Sequence, residues 1–168
     1  MPTTYEPIAT STLGSAASVI TFSSIPSTYT DLRVIWTVRA STTSVFPYVT
    51  YNNDTATNYS WTRLYGDGAS AASQANTSRA YIGVQWLTGI SDATDQFNLL
   101  TLDVFSYAGS TYKTTLTTSQ ADKNGSGTVE RTAALWRSTS AINRIDLTAS
   151  SSTWAVGTTA TLYGIKNA

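Results

Sequence analysis

A chain of 168 residues with 10 Lys/Arg and 10 Asp/Glu has zero formal net charge, and at 12% its charged residues are about half the usual share. It contains no cysteine and no histidine, which removes disulfides, thiolate metal sites and the side chain most used as a general base or metal ligand. Nothing in this balance draws the protein to nucleic acid or to an anionic membrane, and the length suits one domain able to bury its own core. Ser and Thr fill 53 of the 168 positions. That composition suits half-exposed strands and turns better than helices, and a polar, uncharged surface favours association.

In chain order, residues 1–12 come first and differ from the rest. Pro2 and Pro7 remove two ladder donors, and Ile8-Ala9-Thr10-Ser11-Thr12 is poor in large apolar groups. The segment reads as an edge strand or as an extended N-terminal arm ahead of one β-sandwich domain over residues 13–168. As an arm, it would offer Tyr5 and Ile8 to a partner. Met-Pro-Thr-Thr-Tyr-Glu has neither the basic nor the apolar run of a secretory signal, and no segment has the length of a transmembrane helix, so synthesis in the cytoplasm is expected.

From there the dominant period is two. Ile20 and Phe22 mark one strand, and Leu32, Val34, Trp36 and Val38 alternate with Arg33, Ile35, Thr37 and Arg39 in a second. Pro47, Val49 and Tyr51 mark a third. Tyr59, Trp61, Arg63 and Tyr65 form a fourth, closed by the turn Gly66-Asp67-Gly68. Ala69 to Ala75, small and polar with no apolar anchor, reads as a loop. Strands are then predicted over Ala80–Leu87, Gln96–Tyr107, Tyr112–Thr118, Thr128–Arg137, Ile142–Thr148 and Thr158–Ile165, with a break at Lys123-Asn124-Gly125. In the last strand Leu162 is expected on one face and Tyr163 and Ile165 on the other. The fold class is therefore all-β, a jelly-roll-like sandwich of about nine or ten short antiparallel strands.

Several constellations invite chemical readings. Asp122-Lys-Asn124-Gly-Ser126-Gly127-Thr128 resembles the start of a calcium loop, but the closing bidentate carboxylate would fall on Ala133, so a turn is expected and no metal or cofactor is assigned. Asp92 and Asp95 stand three apart in a predicted loop, where they stabilise turns through their own backbone. Asp103, Glu130 and Asp146 are the carboxylates on predicted strands. With Arg131 and Arg144 beside them, they read as charge pairs at a sheet surface or an interface rather than as a glycosidase pair, so no catalytic residue is assigned. Of the five tryptophans, Trp36 and Trp136 are placed in the core. Trp61, Trp86 and Trp154 are the candidates for exposed aromatics on which a glycan could stack. The sequons at Asn53, Asn58, Asn76 and Asn124 occur about as often as chance allows in so Ser/Thr-rich a chain and carry no weight.

Three stretches combine into a resemblance: YEPIATSTLGSAASVITFSSIPSTYTDL, then NYSWTRLYGDG, then LWRSTSAINRIDL followed by GTTATLYGIK. In this order and spacing they resemble a group of short Ser/Thr-rich virion proteins of tailed bacteriophages, including cyanophages and other phages of aquatic bacteria. The likeness spans nearly the whole chain and brings no catalytic residues. It implies a structural protein made in the host cytoplasm and carried on the virion. The favoured role is a capsid cement or decoration protein bound to the major capsid protein as a homo-oligomer, with a trimer expected. The alternative is a tail fibre or receptor-binding module that holds host glycan through exposed aromatics.

Overall fold

The computed structural model describes residues 4–42, 45–84, 96–122 and 124–166. Its strands are β1 (Tyr5–Thr12), β2 (Val19–Phe22), β3 (Asp31–Val38), β4 (Pro47–Tyr51), β5 (Tyr59–Gly66) and β6 (Ala71–Arg79). They continue with β7 (Ile82–Gly83), β8 (Asn98–Phe105), β9 (Lys113–Ala121), β10 (Thr128–Trp136), β11 (Ile145–Ala149) and β12 (Thr159–Ile165). An eight-stranded sheet has the order β1-β12-β3-β8-β9-β10-β5-β6, and a four-stranded sheet the order β2-β11-β4-β7. All neighbours run antiparallel. This is the strand order of a jelly roll in which the meander β8-β9-β10 fills the place of one strand, with β12 and β1 added beyond β3.

Alternation builds the interior as the sequence predicts. Leu32, Val34, Trp36 and Val38 of β3, Leu100, Leu102 and Val104 of β8, and Ala160 and Leu162 of β12 are all buried. They face Ile20 and Phe22 of β2, Val49 and Tyr51 of β4, and Ile145 and Leu147 of β11 in one cluster. Two aromatic groups set the spacing of the layers. Trp154 stands edge-on to Trp36 at 4.9 Å and donates its indole N–H to the Leu147 carbonyl at 3.3 Å. Trp136 meets Tyr51 edge-on at 5.6 Å and stacks on Tyr59 at 6.3 Å.

The last strand is a central one. β12 pairs with β1 on one side and β3 on the other, with Leu162 fully buried and Tyr163 and Ile165 on the outer face. Gly164 is required for close approach, because a Cβ there would stand 2.4 Å from the Tyr29 ring. Tyr29 in turn donates its hydroxyl to Glu6 at 3.1 Å, and Lys166 reaches the same carboxylate at 3.5 Å, so this end of the sheet is stitched across three segments.

Residues 5–12 form the edge strand rather than a free arm, paired with β12 from Tyr5↔Ile165 to Thr12↔Thr159. Ile8 is partly buried against the core, whereas Tyr5 is exposed and stacks on Tyr163 at 4.7 Å. The loop expected over Ala69 to Ala75 is largely strand β6. It lies at the edge of the wide sheet, so it needs no apolar face and shows none. Asp122 accepts the Gly125 N–H at 2.9 Å, and Asn124 and Gly125 have φ of 56° and 90°, which makes the β9–β10 connection a hydrogen-bonded turn. Of the strand expected over Ala80–Leu87, β7 is observed, and Gln85, Trp86 and Leu87 lie outside the described residues, as do Asp92 and Asp95.

Asp54 anchors the turn between β4 and β5. Its carboxylate accepts the Ala56 N–H at 2.9 Å, the Asn58 amide at 3.0 Å and the Trp136 indole N–H at 2.7 Å. Partial burial works to raise its pKa, but these donors outweigh it and hold the carboxyl below its ordinary 3.8. A folded carboxyl with a depressed pKa contributes stability that is complete above the unfolded value and is lost as pH falls towards the folded one. Asp54→Asn is therefore expected to lower the urea midpoint near neutrality. That deficit should shrink as the pH is taken below 3.8, which parallel denaturation curves will measure.

Candidate interaction surface

Because directly paired residues share a face, the outer surface of the eight-stranded sheet can be written as rows across the strands. One row runs Thr12, Thr159, Thr37, Leu99, Gln120, Val129, Gly66, Ala71, and the next runs Thr10, Thr161, Ile35, Thr101, Thr118, Arg131, Leu64, Ser73. A third carries Tyr163, Arg33, Asp103, Leu116, Ala133, Thr62 and Ala75, and beyond it lie the shorter rows Ile165, Asp31 and Phe105, Thr114, Leu135, Ser60. Hydroxyls and aliphatic groups dominate these rows.

Charge is sparse on this face, consisting in these rows of Asp31, Arg33, Asp103 and Arg131. Arg33 and Asp103 neutralise one another through bonds of 2.5 and 2.9 Å, which raise the guanidinium pKa, and Asp31 accepts the Ser106 N–H at 2.7 Å. Leu64 at 63% and Val129 at 62% exposure are the most open large apolar side chains, and Phe105, Leu99 and Tyr5 share the same face. Threonine pairs Thr10–Thr161 and Thr12–Thr159, at 3.0 and 2.9 Å, tie the edge strand to its neighbour.

The inner side of the same sheet is unexpectedly polar beneath β5, β9 and β10. Arg63 and Glu130 form an ion pair at 3.4 Å with side-chain exposures of 0% and 1%, flanked by buried Thr115, Thr117, Ser119 and Thr132. The guanidinium lies 3.8 Å from the centre of the Trp61 ring, and burial drives its pKa down against the pull of Glu130. A Cβ at Gly83 would come within 2.9 Å of this guanidinium, so the facing strand is kept bare where the arginine lies. Lys113 is likewise buried, its ammonium donating to the Gly109 carbonyl at 2.7 Å, and burial lowers its pKa.

These positions correct several expectations. Trp61 and Trp154 are not exposed platforms. Trp61 is 5% exposed and carries Arg63 on its face, and Trp154 is fully buried against Trp36. Trp86 lies outside the described residues. Glu130 is not a surface charge paired with Arg131, because neighbouring residues on a strand point to opposite faces, and Glu130 meets Arg63 inside while Arg131 points outward. Asp146 does pair with Arg144, through two bonds of 2.8 Å, and accepts the Thr21 hydroxyl at 2.6 Å. Asp103, Glu130 and Asp146 thus occupy the outer face of one sheet, the interior, and the other sheet, each committed to its own arginine. Sequence reasoning passed over Leu64, Val129, Leu99 and Phe105. Each was legible only as the outward partner of an alternating strand.

No protein-family model matches this chain, and neither a curated protein nor a solved structure is similar to it.

The two ion pairs on this sheet should differ sharply in worth. Glu130→Ala leaves the Arg63 charge buried without its carboxylate and is expected to cost about 3–5 kcal/mol. Arg33→Ala removes a pair whose cation is 41% exposed and is expected to cost less than about 1 kcal/mol. Equilibrium denaturation of both variants checks the contrast.

Proposed function

We propose that this chain is a structural protein of a tailed-bacteriophage virion, a cement or decoration protein that binds the assembled shell of major capsid protein. The reading joins the sequence resemblance to one observation, the wide, nearly uncharged outer face of the eight-stranded sheet. Seven strand spacings of about 4.8 Å by a strand length of about 25 Å make roughly 850 Å². That matches the area of about 800 Å² which each partner contributes to a stable interface. With few charges to desolvate, such a face suits a partner that is itself poor in charge, and its exposed Leu64, Val129, Leu99 and Phe105 supply the apolar contacts.

The mechanism is mass action. Contacts made only with the assembled shell lower the free energy of that shell relative to its dissociated or ruptured states, so each bound copy adds to particle stability. A β-sandwich free of cysteine suits this use, because its stability does not change between a reducing host cytoplasm and the outside. The receptor-binding alternative has lost two of its three aromatic platforms, since Trp61 and Trp154 are buried.

Two experiments test the proposal. Particles lacking the chain are expected to adsorb to host cells normally yet release DNA at lower temperature. Normal heat resistance with failed adsorption would instead establish the receptor reading. Leu64→Asp with Val129→Asp, both at exposed positions, should change stability by no more than about 0.5 kcal/mol each while abolishing rebinding to chain-free particles. Rebinding at the wild-type level would show that this face is not the docking surface.

A further inference from the structure

The two edges of the eight-stranded sheet are built differently. At the β1 edge Pro7 lacks an N–H, the register with β12 shifts between Pro7 and Ala9, and Glu6 is tied into the Tyr29 and Lys166 contacts. A missing donor, a bulge and a fixed charge are the features by which sheets discourage a further strand. The β6 edge has almost none of them. Over nine residues, AASQANTSR, it contains no proline and no charge before Arg79, and nearly every residue is exposed. Its one irregularity, a register shift against β5 accompanied by a φ of 54° at Ser78, lies in the last few residues and leaves Ala71–Asn76 a regular strand. Among the described residues β6 pairs only with β5.

We propose that β6 is a self-association edge, and that two copies of this chain join their β6 strands antiparallel about a two-fold axis to form one continuous sixteen-stranded sheet. An unpaired strand edge presents alternating N–H and C=O groups whose natural partner is another extended strand. The occupant is a second copy for two reasons. Two identical antiparallel edges related by a two-fold axis offer each other the same ladder, and the uncharged Ala71–Ser78 segment brings no like charges together. The blocked opposite edge then explains why the contact closes. A heterologous β6-to-β1 contact would propagate into a fibre, and Pro7 and the adjoining bulge oppose it. The joint sheet would double the docking face described above. Its existence is read on the purified chain and stands or falls independently of the virion proposal. The two-fold replaces the trimer expected from the resemblance.

Opposite charges placed on this edge provide the test. Ser73→Lys with Ala75→Lys sets four like charges along the proposed joint, as does Ser73→Glu with Ala75→Glu, and both positions are exposed, so circular dichroism should stay unchanged while the melting temperature loses its dependence on protein concentration. In sedimentation equilibrium the wild type is expected at twice the chain mass and each charged variant at the chain mass. An equimolar mixture of the two variants should return to twice the chain mass. Thr10→Lys on β1 should leave the wild-type mass unaltered. A wild-type monomer at micromolar concentration, a trimer, an assembly that survives both sets of charges, or a mixture that fails to re-associate would each overturn the proposal.

Discussion

The contact on which the rest of the structure depends is the insertion of β12 between β1 and β3, which joins Tyr5 to Ile165 and Thr37 to Thr159. The smaller sheet repeats the pattern, since β11 pairs with β2. A jelly roll of this kind is held by ladders between distant parts of the chain, so loop-closure entropy must be met before most of the core exists. Leu162 at full burial, the bare Gly164 under Tyr29, and the Glu6 carboxylate shared by Tyr29 and Lys166 are the local contacts that repay it. Folding is thereby expected to be slow and highly cooperative, since the eight-stranded sheet needs β1 and β12, and the four-stranded sheet needs β2 and β11, before either is complete.

That closure divides the eight-stranded sheet into two working surfaces. Inside, the β3, β8 and β12 half is aliphatic and meets the four-stranded sheet through Trp36 and Trp154. The β5, β9 and β10 half carries Arg63, Glu130 and a column of hydroxyls. A buried ion pair contributes little net stability against an apolar replacement, but it punishes any register that separates its members. Here β5 and β10 are aligned with Arg63 opposite Thr132 and Tyr65 opposite Glu130, and a shift by one residue would turn a charge outward and an aliphatic group inward. The polar interior thus specifies register where the apolar pattern is weak. Outside, the same alternation leaves a broad, neutral field of threonine and aliphatic side chains, which is the basis of the docking proposal.

Much of this was legible in the sequence because period two is a direct consequence of strand geometry. β3, β5, β10 and β12 carry their buried residues at alternate positions, and the in and out assignment of Leu162 and Tyr163 followed from spacing alone. β6 was not legible: its side chains meet no second layer, so AASQANTSR has the composition of a loop while its backbone completes a ladder. The burial of Trp61 and Trp154 was likewise hidden. Trp154 lies in a connecting segment, bridged to Ala17 and Ala40, where no periodicity marks it, and Trp61 is covered by an arginine whose position depends on Glu130 from another strand. Asp146 does pair with nearby Arg144, but the partner of Glu130 was hidden, because adjacent residues on a strand lie on opposite faces and its arginine comes from a neighbouring strand. Arg33–Asp103 and Arg63–Glu130 both cross between strands.

The central claim is that the outer face of the eight-stranded sheet lies against a capsid shell. A reconstruction of the virion at a resolution that separates strands tests it most directly. The account predicts density for this chain on the capsid exterior, with Leu64, Val129, Leu99 and Phe105 turned towards the major capsid protein. Density confined to the tail, or a capsid-bound copy whose eight-stranded face points into solvent, would contradict it.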